Sequence, residues 1–272
     1  MEASRQRVFY YHADAAPFGG HFTHPIEQIV PSHGSSSLAQ AGGHASSRVK
    51  AVRLDGLVSC EEAYSEIYGT VNKTTGSWTT LVTSVVEGLN VVETVTADRV
   101  VAILAVEHPL VGYVPKVSVV GSQFENLRIA GVKVNPVLTG SPAVLPKGEF
   151  PAKSLVEDGD FVARAAAQSQ KMAGAAGAPR WLSERYGWIQ SEEARRQKGY
   201  VQCSLVDEVQ GTKPGSSFGH VVQVPGFGNV FLGELLTDQH TFRLTMIRIE
   251  MGCPAEGKLS FATANSNGVG MP

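Results

Sequence analysis

Apolar and polar positions are most regular between residues 81 and 138. Residues 81–86, 90–96 and 99–106 are rich in β-branched side chains and are separated by Glu87-Gly88 and Ala97-Asp98, so they read as successive strands of one sheet. The third segment stays apolar from Val100 to Val106, a pattern that predicts a central strand covered on both faces. Further along, Leu127 and Ile129 occupy one face, but after Ala130-Gly131 the apolar positions are Val132 and Val134. A one-residue slip turns every side chain to the opposite face, so Gly131 is expected to mark a bulge or a turn. The same change of phase recurs where Phe242, Leu244 and Met246 give way to Ile247, Ile249 and Met251, which predicts a bulge near Met246 and Ile247.

The remaining pattern extends this sheet-rich reading. A short strand is expected at 8–11, others over 48–71 with Ala63, Ser65 and Ile67 on one face, and others at 200–206, 220–224, 229–236 and 241–251. Pro225-Gly226-Phe227-Gly228 has the composition of a hairpin connection. Residues 12–48 carry little periodicity and much Gly, Ser and His, and read as a long loop segment. The tail at 265–268 is expected to be frayed. Helical periodicity is confined to an insertion near 158–198, bounded at most by 157 and 199. Its first helix starts at Asp158 or Asp160 and ends before Pro179, and its second runs from Arg180 to Lys198. The pattern thus predicts a single all-β domain over residues 1–272, a sandwich or barrel of about ten mostly antiparallel strands with a two-helix insertion.

Composition narrows the functional classes. The 272 residues are 43% hydrophobic and 18% charged, enough for a sizeable core. A net charge of −2 and the lack of a basic, aromatic-interleaved run argue against nucleic acid. No apolar stretch is long enough for a membrane-spanning helix, and the N-terminus lacks the apolar region of a signal peptide. Cys60, Cys203 and Cys253 are widely spaced and odd in number, which suits reduced thiols in a cytoplasmic protein.

Candidate chemistry concentrates in two places. Five of the eight histidines fall within residues 12–48. His12 and Asp14 share a strand face while His21 and His24 follow in a glycine-rich stretch, a donor set suited to zinc or a similar divalent metal if the chain folds back. In the insertion, Trp181, Tyr186, Trp188 and Ile189 form an aromatic and aliphatic stripe, which packs on the β core, covers a cavity as a lid, or meets a partner. An exposed stripe would imply a homo-oligomer. Gly215-Ser216-Ser217-Phe218-Gly219 has the letters of a nucleophile elbow, but a strand follows it where that motif needs a helix. Carboxylates beside Cys60 would make its thiol a poor nucleophile. The sequence therefore favours a non-catalytic β protein that binds a small ligand or a partner chain, with a metal-dependent enzyme as the alternative.

Overall fold

The structure is a computed structural model that describes residues 8–25, 27–54, 56–112, 114–138, 150–213, 215–252 and 255–271. In chain order its strands begin with β1 (Val8–Tyr10), β2 (Ala13–His24), β3 (Gln28–His33), β4 (Ser36–Ser37), β5 (Gly43–Leu54), β6 (Val58–Val71), β7 (Trp78–Val91) and β8 (Val95–His108). Short strands follow: β9 (Lys116–Ser118), β10 (Gln123–Glu125), β11 (Arg128–Ile129), β12 (Val132–Lys133) and β13 (Asn135–Leu138). After the helices come β14 (Val201–Ser204), β15 (Val206–Gln210), β16 (Ser217–Phe218), β17 (Val221–Val224), β18 (Gly228–Thr237), β19 (Phe242–Gly252), β20 (Glu256–Ser266) and β21 (Val269–Met271).

Two antiparallel sheets form a sandwich, and the described strands close no barrel. The first has the order β12-β11-β8-β7-β6-β5, with β9 and β10 also on β8. The second has the order β16-β17-β18-β19-β20-β2-β3, with β14 on β18 and β4 on β2. Their inner faces meet where β2, β19 and β20 pack against β6, β7 and β8. Val82, Val86, Val100, Leu104 and Val106 of the first sheet and Ile247, Leu259 and Phe261 of the second are fully buried there. On β8 the alternation is cleaner than its apolar run implies. Val100, Ala102, Leu104 and Val106 face the core, while Ile103 and Ala105 on the other face are only partly buried.

Both sheets carry a transverse crease that accounts for the change of phase at Met246 and Ile247. A bulge would have shifted the register of β19 against its neighbours. Instead the pairing is unbroken across it, from Leu232↔Ile247 to Glu234↔Thr245 on one side and from Thr245↔Thr263 to Ile247↔Phe261 on the other. Four adjacent strands switch face together, at Gly233, Met246, Ala262 and Pro17, so no strand slips relative to another. The first sheet does the same at Ala51, Glu61, Gly88 and Asp98, with Lys50↔Glu62, Glu62↔Glu87 and Glu87↔Arg99 leading into it. Alternate strands reverse their pleat with a left-handed residue, at Ala51 (φ 54), Gly88 (φ 60), Gly233 (φ 64) and Ala262 (φ 51).

Other expectations are corrected or refined by the fold. Residues 12–48 are not a long loop: β2 to β4 and the start of β5 occupy most of them, and β2 is an interior strand between β20 and β3. Its face switch at Pro17 and Phe18 obscured the period of two. The tail is likewise not frayed, because Asn265 and Ser266 end β20, with Ser266 paired to Phe242 and to Ala13. Gly131 marks a turn: Ala130 (φ 52) and Gly131 (φ 74) are the two loop residues of the β11–β12 hairpin, in which Ile129 pairs with Val132.

The insertion contains α1 (Gly159–Ala173), α2 (Arg180–Tyr186), a 3-10 turn (Gly187–Gln190) and α3 (Glu192–Lys198). Asp158 caps α1 by accepting from the Phe161 amide at 2.7 Å, and Phe161, Ala165, Ser169 and Met172 form its buried stripe. The expected second helix is broken because Ser191 turns its hydroxyl to the Ala194 amide and starts α3 as a new helix, which Gly199 (φ 73) ends.

Candidate functional site

On β18 the crease has a chemical result. Leu232 and Leu235 both point into the sandwich core, and the reversal at Gly233 between them leaves Glu234 on the outer face. On neighbouring β19, Arg248 and Glu250 alternate with buried Ile249 and share that outer face. The insertion covers it, so a carboxylate of 7% exposure lies between helix and sheet.

Burial of an unpaired carboxylate is expensive, and here the charge is met from both sides. Arg248 donates through Nε to Glu234 Oε2 at 2.5 Å and through Nη2 to Oε1 at 2.8 Å. The Tyr186 hydroxyl donates to the same carboxylate at 2.9 Å and the Gln202 amide at 3.0 Å. Arg248 also donates to Glu250 at 2.6 Å, and Arg185 of α2 grips Glu250 through both terminal nitrogens at 2.8 Å each. The guanidinium groups of Arg248 and Arg185 lie 3.8 Å and 4.7 Å from the Phe231 ring centre. Desolvation opposes the charge on Glu234, but the Arg248 hydrogen bonds and charge outweigh it and hold the carboxyl below its ordinary value. Glu250 is held down by Arg185 and Arg248 against the same opposition. Burial and the neighbouring Glu234 push the Tyr186 hydroxyl up, so it remains a donor. Beside them His220, 3% exposed, has no partner at either ring nitrogen; its Nε2 is 4.0 Å from Glu234 and its ring meets Tyr186 edge-on at 5.4 Å. Desolvation lowers its pKa to about 4, so the ring is neutral.

Next to this network the insertion and the turn after β18 leave an open groove of about 960 Å³. Val162, Arg195, Arg196 and Tyr200 stand on one side and Asp238 and His240 on the other. Trp188 meets Tyr200 edge-on at 5.1 Å, and the Lys198 ammonium lies over both rings. Tyr200 leads directly into β14, whose Gln202 reaches Glu234, so groove and network share one strand.

The chain belongs to the DUF8256 family. That family is described as a domain of unknown function, and its model matches residues 9–238, a span that includes the insertion, His220 and Glu234. No curated protein and no solved structure matches the chain.

The residues expected to hold zinc or a similar ion do not converge. His12 precedes β2 and hydrogen-bonds Asn267, and Asp14 accepts from Asn265 at 2.7 Å. His21 and His24 lie at the far end of the strand opposite Lys258 and Glu256. An extended chain advances about 3.3 Å per residue, which puts His12 and His21 about 30 Å apart. Among the described residues no group of three or more His, Cys, Asp and Glu side chains is placed to hold a metal ion.

The insertion stripe is not an exposed partner surface. Tyr186 and Ile189 are buried with Leu182 against the sheet, and Trp181 and Trp188 are partly buried at its margin. The reason for expecting an oligomer is thereby removed. Ser216 and Ser217 occupy a turn and a short strand, where Ser216 donates to the Lys213 carbonyl at 2.6 Å and Ser217 pairs with Thr212 at 2.7 Å. Burial raises the Cys60 thiol to about 11 and the Cys203 thiol to about 12. For Cys60 the cause is desolvation, not the neighbouring carboxylates. Cys253 lies outside the described residues. Sequence reasoning missed Glu234, Arg248 and Glu250 as a unit; the only trace was one acid inside the apolar run 230–236.

Proposed function

We propose that this chain is a non-catalytic β-sandwich binding protein that receives a small polar ligand in the groove between the insertion and the 238–241 turn. The groove itself carries the reading, since its volume lies in the range of small-molecule sites and Tyr200 stands beside charged rims. Arg195 and Arg196 face Glu157, Glu192 and Asp238 there, a near balance of charge that suits a neutral polyhydroxyl or zwitterionic molecule better than a simple ion. Tyr200 would supply an apolar face for ring or CH stacking.

A catalytic reading has less support. The Glu234 carboxylate already accepts four hydrogen bonds, which leaves it little capacity to act as a base. The cysteines are buried with raised pKa values, a poor setting for nucleophiles.

Calorimetric titration of the full chain with a panel of neutral mono- and disaccharides and free amino acids tests the proposal. At least one class should bind saturably, and Tyr200→Ala should weaken it about tenfold, the order expected from losing a stacked ring. Absence of binding across the panel, or equal affinity in Tyr200→Ala, would sink the groove as the site.

A further inference from the structure

The first sheet ends on a strand that is hydrogen-bonded along one side only. β5 pairs with β6 from Gly43↔Gly69 to Leu54↔Val58, and β4 packs against it without pairing. Among the described residues no other strand bonds to its outer side. Alternate residues of an antiparallel strand turn their N–H and C=O groups away from the partner, so β5 presents a row of open donors and acceptors. The other sheet ends are blunted: β12 and β16 are two residues long, and β3 carries Pro31. β5 has 12 residues and no proline, and it runs regularly from Gly43 to Lys50 before the crease at Ala51.

Its side chains restrict what can lie beside it. The outward face carries His44, Ser46, Arg48, Lys50 and, past the crease, Arg53, and no acid occurs between Gly43 and Leu54. Arg48 is turned back onto β6, over the Tyr64 ring at 4.4 Å and against Glu62 at 3.0 Å. Lys50 stands 3.8 Å from the same carboxylate with 73% of its side chain exposed, and Arg53 is exposed with no ion pair among the described residues. The acids Glu61, Glu62 and Glu66 belong to β6, which is about 10 Å from a strand added at the edge. On the inward face Ala45, Val49 and Leu54 are only partly covered at the margin of the core.

We propose that β5 is a docking edge for an extended acidic segment of a partner protein, which adds to the sheet as one more strand. Its acidic side chains face outward and its apolar ones lie beside Ala45 and Val49. Directly opposite side chains on neighbouring strands are about 5 Å apart, so the acids meet Lys50 and Arg53 while the apolar residues extend the core. The same charge disfavours a second copy, because two β5 strands laid together set their cations side by side. The edge belongs to the first sheet, whereas the groove lies beside the second, so this inference does not depend on the groove's ligand.

The test uses fluorescence polarisation of a capped, labelled peptide of about ten residues, alternating glutamate and valine, titrated with the full chain. It should bind saturably, at least tenfold more tightly than its lysine-valine counterpart, and more weakly as salt rises. Lys50→Glu with Arg53→Glu changes two exposed side chains and should keep the thermal midpoint while weakening the acidic peptide at least tenfold. Two N-methylated peptides, one blocked at the glutamate amides and one at the valine amides, separate strand addition from charge attraction. The one methylated along the edge that meets β5 should lose binding, and the other should keep it. Equal binding of the two methylated peptides, of the lysine peptide and the parent, or of the two protein variants would overturn the proposal. So would a failure of the acidic peptide to bind, or a dimer of the chain alone that the peptide does not displace.

Discussion

His220 sits beneath the insertion facing Glu234, Arg248, Arg185, Tyr186 and Asp207, with both ring nitrogens unpartnered. In the unfolded chain a histidine takes up its proton near 6.5, whereas desolvation delays this to about 4 in the fold. The unfolded state therefore binds more protons between those values. The neutral ring's contribution is complete above about 6.5 and is lost as pH falls toward 4, on the order of 3 kcal/mol over the whole window. Urea titrations at pH 7 and pH 4.5 should show His220→Leu losing distinctly less stability than the parent. A parallel loss in both proteins would mean that His220 charges freely in the fold. Backbone strain is the other effect at this scale. Nothing lies within 4 Å of a Cβ built on Gly131, so Gly131→Ala should cost about 1–2 kcal/mol through its positive φ alone. Ala51 is exposed and left-handed, and Ala51→Gly should be neutral or stabilising by up to about 1 kcal/mol. Denaturation midpoints check both, and a stabilised Gly131→Ala would contradict the hairpin geometry.

Among the elements, the insertion depends most on a few contacts. Two residues of α2, Arg185 and Tyr186, tie it to Glu250 of β19 and Glu234 of β18. Tyr186→Phe keeps the buried ring and removes one hydrogen bond to a charged acceptor, which predicts a loss of about 1.5–3 kcal/mol. Glu234→Ala is expected to be worse, about 3–5 kcal/mol, because it leaves the Arg248 guanidinium facing Glu250 alone and Tyr186 without an acceptor. Hydrogen exchange should localise the Tyr186→Phe effect to α1, α2 and β14. Uniform loosening of both sheets would show that the insertion and the sandwich unfold as one unit.

At the scale of the whole molecule, antiparallel strands and their inward apolar faces were legible because the period of two is local to each strand. That is why the hairpin across Pro225-Gly226-Phe227-Gly228 was readable, and why the start of α1 could be narrowed to Asp158 or Asp160. The breaks expected at Glu87-Gly88 and Ala97-Asp98, by contrast, lie inside β7 and β8, two continuous strands that turn only at 92–94, because a face switch within a strand looks locally like its end. The crease was visible as a change of phase in β19 and as apparent breaks at Glu87-Gly88 and Ala97-Asp98 in β7 and β8. A single strand cannot distinguish a bulge from a reversal shared by its neighbours, since the difference lies in the pairing register. The same reversal hid β2 and β20, whose inward faces change at Pro17 and Ala262. Sequence by itself determined the all-β class and the place of the insertion, both consequences of local periodicity and capping, while the burial of the insertion's aromatic stripe was decided by its docking on the sheet. Tertiary structure alone decided that the histidines of β2 stay apart and that Glu234, Arg248, Glu250, Arg185 and Tyr186 meet. An extended strand separates residues close in sequence, while charges from distant strands and a helix can share one buried face only after the sheet has formed and the insertion has docked on it.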